Sequence, residues 1–244
     1  MVTGLECFRN YFKDFSDGYV LIGGVACELI LDSMLLPFRP TNDFDLVVVA
    51  ENLQYGFGAK LKQFIHDGKY AVGQRKSKQQ ASFFRFLNPK TEGFPQMLEL
   101  ASNKPAEDWI YHFAPLDIGD GKPSLSAILF DADYYSFICE NSVSIRDLSV
   151  ISLTGIIPLK ALAFEELTRS ESPAEKNLLN IEKHLDDIFV FANLLPDTPK
   201  PLPARLRKDL ATIMALIEQR DLSTERLDLA KHIRQFYGCA ESSA

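Results

Sequence analysis

Asp43 and Asp45 stand at the start of the apolar run FDLVVVA, which has the composition of a buried β-strand. Residues i and i+2 of a strand point to the same side, so the two carboxylates project together, about 7 Å apart along the backbone. Two like charges beside buried valines repel each other and lack full hydration, and a divalent cation would resolve that conflict. Magnesium is usually held by one or two carboxylates together with substrate phosphates. The pattern therefore predicts a site for Mg²⁺ or Mn²⁺ at Asp43 and Asp45.

A third carboxylate, Glu99, is isolated in the strand-like segment MLEL. On a strand beside Asp45 it would complete a two-metal site, in which the ions activate an attacking hydroxyl and stabilise the leaving pyrophosphate. Both features also have a plainer interpretation. Asp43 and Asp45 could be turn residues after Pro40, and Glu99 could be a surface carboxylate on an edge strand.

Gly23 and Gly24 lie between a short apolar strand and a helix-like segment that ends before Pro37. Glycines let the backbone approach a ligand closely, and a helix N-terminus offers unpaired N–H groups, so the pair suits a triphosphate. A tight turn is the alternative interpretation. The pattern is neither GxGxxG nor GxxxxGK[ST], so the sequence supports neither a dinucleotide-binding fold nor a P-loop.

The elements that must position these residues fall into two groups. Up to about residue 150 helices and strands alternate, with helices over residues 4–15 and 57–68, two strands within 70–87, and strand-like runs at 19–22, 44–50, 94–100, 126–130 and 143–148. From Pro158 onward every segment is helical, with start signals at Ser172-Pro173 and Ser223 and a stop signal at Gly238. We predict an α+β fold, with an α/β domain that has a mixed sheet at 1–150 and an all-α helical bundle domain at 151–244.

The composition argues against several classes of protein. The chain has 244 residues, 46% of them apolar and 24% charged, and a net charge of −7, which argues against a role in coating nucleic acid. No apolar run approaches about 18 residues, and the N-terminus lacks the pattern of a signal peptide. The four cysteines form no CxxC pair, which is typical of free thiols in a reducing compartment. We expect a cytoplasmic protein with no membrane segment.

The order strand, Gly-Gly, helix, Asp-x-Asp strand and later a strand with an isolated Glu resembles the minimal nucleotidyltransferase domain of the polymerase-β-like superfamily. The matching segments read IGGVACELI, RPTNDFDLVV and MLELAS. The segment from Arg39 to Asp45 is most similar to bacterial nucleotidyltransferases of abortive-infection and toxin–antitoxin type and to their uncharacterised relatives. Eighteen residues separate Gly24 from Asp43, which is longer than in the compact members of the superfamily. The toxin-like relatives also carry a longer helix here.

This resemblance implies a metal-dependent enzyme that moves a nucleoside monophosphate from an NTP to an acceptor hydroxyl or amine. Three carboxylates would be catalytic and would bind Mg²⁺ or Mn²⁺: Asp43, Asp45 and Glu99. The family also has a lysine in a helix after the α/β part and a later Lys-Asp-x-x-Asp-like stretch, where this chain has His184 in place of one acid. The nucleotide-binding residues implied are Gly23, Gly24, Thr41, Lys160, Lys183 and Asp187.

The residues of the helical region can be interpreted without the family. Lys160 lies among apolar neighbours, where a buried ammonium needs a partner such as phosphate, or else the side chain reaches out from the edge of the core. Lys183 and Asp187 are four residues apart on one helix face. A surface ion pair worth a few tenths of a kcal/mol is the alternative there.

The acceptor stays open, because tRNA, a protein side chain and a small amine all fit. The toxin-type resemblance implies a cognate antitoxin-like partner. The basic cluster Arg75, Lys76 and Lys78 could contact an acceptor phosphate backbone or form a solvated hairpin tip. Asp131 and Asp133 have the same spacing as Asp43 and Asp45, but no Gly-Gly pair precedes them, so they are the weaker candidates for a metal site.

A second hypothesis is a non-catalytic nucleotide- or partner-binding protein with the same fold. The discriminating feature is whether Glu99 faces Asp43 and Asp45.

Overall fold

The computed structural model describes residues 2–49, 51–52, 56–72, 82–102, 132–169 and 175–239. These residues divide into two compact units, with the boundary between Ser152 and Leu153. The first unit contains a mixed β-sheet with helices, and the described part of the second unit is helical. The predicted α+β class is confirmed.

The first unit is built on a seven-stranded sheet in the order β3-β4-β5-β2-β1-β7-β6. β2 and β5 are parallel, as are β1 and β7, and every other neighbouring pair is antiparallel. The elements follow one another as α1 (Leu5–Phe12), a 3₁₀ helix (Lys13–Gly18), β1 (Tyr19–Ile22), α2 (Gly23–Ser33), β2 (Asp43–Val48), α3 (Phe57–Gly68), β3 (Ala71–Val72), β4 (Ser82–Leu87), β5 (Met97–Ser102), α4 (Ala132–Glu140), β6 (Ser142–Ile145) and β7 (Leu148–Ile151).

An aromatic cluster joins α1 and α3 to one face of this sheet. The ring of Phe8 lies 5.4 Å from that of Phe44 on β2 and 5.9 Å from that of Phe64 on α3. Phe12 and Tyr19 complete the cluster, and all five rings are buried. Because neighbouring strand residues point to opposite faces, this packing leaves the side chains that flank Phe44 on the other face.

Some elements agree with the sequence-based expectations and others do not. The helix over residues 57–68 and the strand over 19–22 are confirmed. The single strand expected at 143–148 is wrong, since β6 and β7 form a hairpin around Arg146 and Asp147. Helix α4 is not predicted at all. The strand expected at 126–130 and the basic cluster around Lys76 lie outside the described residues.

The second unit contains α5 (Leu153–Arg169), α6 (Glu175–Ala192), α7 (Ala204–Glu218) and α8 (Thr224–Tyr237). Ser223 caps α8 by accepting a hydrogen bond from the backbone N–H of Arg226, and Gly238 ends the helix with a φ of 70°, both as predicted. No helix in the described part of the chain is long and apolar enough to cross a membrane.

Pro158 lies inside α5, in the second turn of the helix. Proline has no N–H, so the carbonyl of Thr154, four residues earlier, loses its usual partner in the helix. The hydroxyl of Tyr237 donates a hydrogen bond to this carbonyl at 2.9 Å. The phenol of tyrosine is protonated at neutral pH and can donate, and burial raises the pKa of Tyr237 further.

Candidate functional site

Asp45 lies beside Glu99, because β2 and β5 are parallel neighbours whose register pairs these two residues. Asp43 pairs with Met97, two residues before Asp45 and Glu99 on the same two strands. Paired residues of neighbouring strands share a face, as do residues i and i+2, so the three carboxylates lie on one face of the sheet. Asp43 is exposed, Asp45 is half-buried and Glu99 is buried.

The glycine turn packs directly against Asp45. Gly23 begins α2 immediately after Ile22, which is the partner of Asp45 on β1. Gly23 has a φ of +66°, and a Cβ at this position would overlap Oδ2 of Asp45 and lie 2.9 Å from its Cγ. The left-handed backbone and the close approach therefore both require glycine.

Thr41 adjoins the second glycine in the same way. A Cβ on Gly24 would overlap the hydroxyl oxygen of Thr41 and lie 3.2 Å from its Cβ. The structure thus brings Gly23, Gly24, Thr41 and Asp45 together at the N-terminus of α2. The tight-turn interpretation of the glycines also holds, since they make room for these two polar side chains.

Arg85 is a site residue that the sequence-based predictions lack. It lies on β4 as the register partner of Glu99, and its guanidinium forms an ion pair with Oε1 of Glu99. The side chains are 22% and 8% exposed, so the pair is largely shielded from water. Arg85 is a lone charged residue in the strand segment FFRFL, which is the same signal that identifies Glu99 in MLEL.

The donor set suits a divalent cation at Asp43 and Asp45. The two carboxylates share one face at the more exposed end of β2, next to the first turn of α2. Magnesium is usually bound by such carboxylates together with substrate phosphate, which the helix N-terminus can hold. Among the described residues, no group of three His, Cys, Asp or Glu side chains that could hold a metal ion is found. Glu99 forms an ion pair with Arg85 in this structure.

The remaining predicted site residues belong to the second unit. Lys160 donates a hydrogen bond from Nζ to Oδ2 of Asp187 at 2.6 Å, and both side chains are at most 4% exposed. Lys183 is exposed, one turn before Asp187 on α6. Two expected partners therefore differ from those in the structure. The ammonium of Lys160 contacts a carboxylate, where the sequence suggests phosphate, and Asp187 pairs with Lys160 rather than with Lys183.

Glu166 on α5 is a second charged side chain that the predictions lack. Both of its carboxylate oxygens are buried, and neither has a hydrogen-bond partner. Burial, with a smaller contribution from the neighbouring charge of Glu165, raises the pKa of Glu166 to about 8. Two adjacent glutamates, Glu165 and Glu166, between the apolar Phe164 and Leu167 are the weak signal that the sequence offers.

The second aspartate pair, Asp131 and Asp133, offers weaker support for a metal site. Asp133 is exposed in the first turn of α4, where residues two apart do not share a face, and Asp131 lies outside the described residues. All four cysteines are free thiols, as predicted.

Comparison of the chain with protein-family models, with curated proteins and with solved structures finds no match in any of the three.

Proposed function

We propose that this protein is a metal-dependent nucleotidyltransferase, which moves a nucleoside monophosphate from an NTP to an acceptor hydroxyl or amine. The observation that carries the proposal is the packing of Gly23 against Asp45, with Asp43 on the same face of the sheet. This arrangement sets a carboxylate pair for a cation beside a glycine turn whose backbone N–H groups suit phosphate.

The proposed reaction is an in-line displacement at the α-phosphate. The acceptor oxygen or nitrogen forms a bond to the α-phosphorus, the bond to the bridging oxygen breaks, and pyrophosphate leaves with its electron pair. A divalent cation bound at Asp43 and Asp45 would neutralise charge on the triphosphate and on the leaving group.

The chain's own groups have separate roles in this proposal. Backbone N–H groups at Gly23 and Gly24 hold the triphosphate, and the hydroxyl of Thr41 lies beside them. Glu99, next to Asp45, is the candidate acceptor for the proton of the attacking group. Lys160, Lys183 and Asp187 are proposed to bind the nucleotide on the family resemblance alone. The hydrogen bond from Lys160 to Asp187 is observed.

The test is transfer of label from each of the four α-³²P NTPs, with Mg²⁺, into an extract of cellular RNA and protein. We expect the wild-type chain to label an acceptor, and Asp45→Asn to lose roughly 100-fold or more of that rate because it loses a cation ligand. Asp133→Asn is the matched control, an exposed aspartate on α4 that should keep full activity. Full transfer by a folded Asp45→Asn variant would reject the proposal.

The resemblance to toxin-type enzymes extends the proposal to a biological setting. We propose a cytoplasmic enzyme whose acceptor is tRNA or a protein and whose activity is controlled by a cognate antitoxin-like partner. Expression of the wild-type chain should slow growth of a bacterial host, and Asp45→Asn should not. Equal growth inhibition by both chains would reject the toxin role while leaving the transferase assay to decide the chemistry.

The ion pair between Arg85 and Glu99 favours a second candidate, a nucleotide- or partner-binding protein without catalysis. A guanidinium at the third carboxylate is compatible with nucleotide binding and removes one ligand from two-metal chemistry. In this case magnesium and NTP should stabilise the protein without any transfer of label. Labelling of an acceptor by wild-type protein would exclude this candidate.

A further inference from the structure

Arg85 supplies a positive charge to the face of the sheet that carries Asp43, Asp45 and Glu99. Arg85, Glu99 and Asp45 occupy one row across three neighbouring strands, since β4 pairs Arg85 with Glu99 and β2 pairs Asp45 with Glu99. Neighbouring strands lie about 4.8 Å apart, so each side chain adjoins the next in the row. The guanidinium is on the far side of Glu99 from Asp45, and its contact with the Glu99 carboxylate is direct.

The ion pair separates Glu99 from the other two carboxylates of this face. Arg85 balances the charge of Glu99, whereas Asp43 and Asp45 are the two carboxylates proposed to share a divalent cation. A second divalent ion would have to compete with a guanidinium for Glu99, in a pair that is shielded from water and therefore weakly screened. Guanidinium cannot give up its charge by deprotonation, so the competition is not relieved at any ordinary pH.

We infer that Arg85 takes the place of a second metal ion, so that the site binds a single divalent cation at Asp43 and Asp45. This rests on the proposed function, and it departs from the two-metal arrangement that Glu99 suggests in the sequence. Arg85 is then a positioning residue, which holds the Glu99 carboxylate and sets the number of ions.

The consequence of removing Arg85 follows from burial. Glu99 is 6% exposed, and a buried carboxylate that loses its cationic partner is strongly destabilising unless another cation replaces it. A divalent ion next to Asp45 can supply that replacement. Arg85→Gln should therefore gain a second metal site, whereas Arg85→Lys, which keeps one positive charge, should not.

The experiment is a Mn²⁺ titration of the nucleotide-free full-length chain, with free Mn²⁺ measured by electron paramagnetic resonance. We expect one ion per wild-type chain, none for Asp45→Asn at the same concentrations, and a second ion for Arg85→Gln with a Kd at least 10-fold tighter than any second wild-type site. Arg146→Gln is the matched control, because it removes an arginine from an ion pair with Asp32 elsewhere in the same unit, and it should bind one ion.

The outcomes separate the two proposals. Two ions of similar affinity on the wild-type chain, or a folded Arg85→Gln that binds one ion, would overturn the role of Arg85 and leave the metal site standing. If Arg85→Gln does not fold, the wild-type stoichiometry and the double variant Arg85→Gln/Glu99→Gln, which removes both charges and should bind one ion, decide the question. Absence of Mn²⁺ binding by every chain would overturn the role of Arg85, and the transfer assay with NTP and Mg²⁺ would still decide the metal-dependent function, because substrate phosphates supply further ligands.

Discussion

At the scale of single residues, both the backbone conformation and the close packing at Gly23 require glycine, and the two effects can be measured separately. Alanine at a positive φ costs about 1–2 kcal/mol wherever it stands. At Gly23 the added Cβ would also overlap Asp45, whereas at Gly56, with a φ of +101°, nothing lies within 4 Å of it. We expect Gly56→Ala to show the backbone cost alone and Gly23→Ala to exceed it by more than about 1 kcal/mol, a packing cost, in urea unfolding.

The same pair of variants tests the site itself. Displacement of Asp45 should weaken Mn²⁺ binding in Gly23→Ala and leave it unchanged in Gly56→Ala. Equal loss of stability in the two variants, with unchanged metal binding, would mean that the contact between the glycine turn and Asp45 does not shape the site.

Glu166 links the stability of the protein to pH. Folding raises its pKa from 4.5 to about 8, so between these values the folded chain keeps a proton that the unfolded chain releases. The contribution of this group to the free energy of unfolding is therefore fully present below pH 4.5 and is lost as the pH rises through about 8. Glu166→Gln removes this titrating group. The free energy of unfolding of the variant, relative to that of the wild-type protein, should rise by on the order of 1 kcal/mol between pH 5 and pH 8.

Denaturant unfolding at a series of pH values measures this effect. Glu225→Gln, an exposed glutamate in the first turn of α8, is the control and should follow the wild-type curve at a constant offset. A Glu166→Gln curve parallel to wild type across this range would show that the carboxylate titrates normally in the folded protein.

At the scale of elements, local signals predict much of the fold where they agree with one another. The period-2 placement of Asp43 and Asp45, and the apolar neighbours of Glu99, are enough to assign all three to strands. The register of β2 and β5 then puts them on one face. That register depends on contacts between residues more than fifty positions apart, which no local pattern specifies. Arg85 carried the same signal as Glu99, but its importance depends on that pairing.

The missed elements have local causes. Helix α4 reads ADYYSFICE, in which tyrosine, phenylalanine and isoleucine favour strands, while the buried Tyr134, Phe137 and Ile138 follow the helical spacing of three and four. The hairpin of β6 and β7 turns at Arg146 and Asp147, with φ of 52° and 61°. Tight hairpin turns of this kind usually contain Asn-Gly or Asp-Gly, so Arg-Asp gave no turn signal.

The hairpin offers a test of this explanation. Asp147→Gly should stabilise the protein by about 0.5–1 kcal/mol, because glycine accepts a positive φ without the steric cost of a Cβ. Asp147→Ala keeps the Cβ and loses the local polar contacts that help aspartate in turns, so it should destabilise. Thermal unfolding of the two variants decides the point: equal stability would show that the left-handed conformation at this position carries no strain.

At the scale of the whole molecule, charge determines how an anionic substrate can bind. The chain has a net charge of −7, and its candidate site adds a local excess of carboxylates, so a triphosphate alone meets repulsion. A divalent cation at Asp43 and Asp45 reverses that local sign. We therefore expect NTP and Mg²⁺ together to stabilise the protein far more than either ligand does alone.

The size of this effect can be stated in advance. A ligand at 100 times its Kd stabilises the native state by about 2.7 kcal/mol, which for a chain of this length corresponds to a rise in Tm of roughly 5–10 °C. Calorimetry with each of the four NTPs should show such a rise for at least one of them with Mg²⁺, and less than about 1 °C with EDTA. Asp45→Asn should lose the effect and Asp133→Asn should keep it. An equal rise with and without metal would mean that the nucleotide binds somewhere other than the carboxylate face of the sheet, because binding there requires the charge of the two aspartates to be neutralised first.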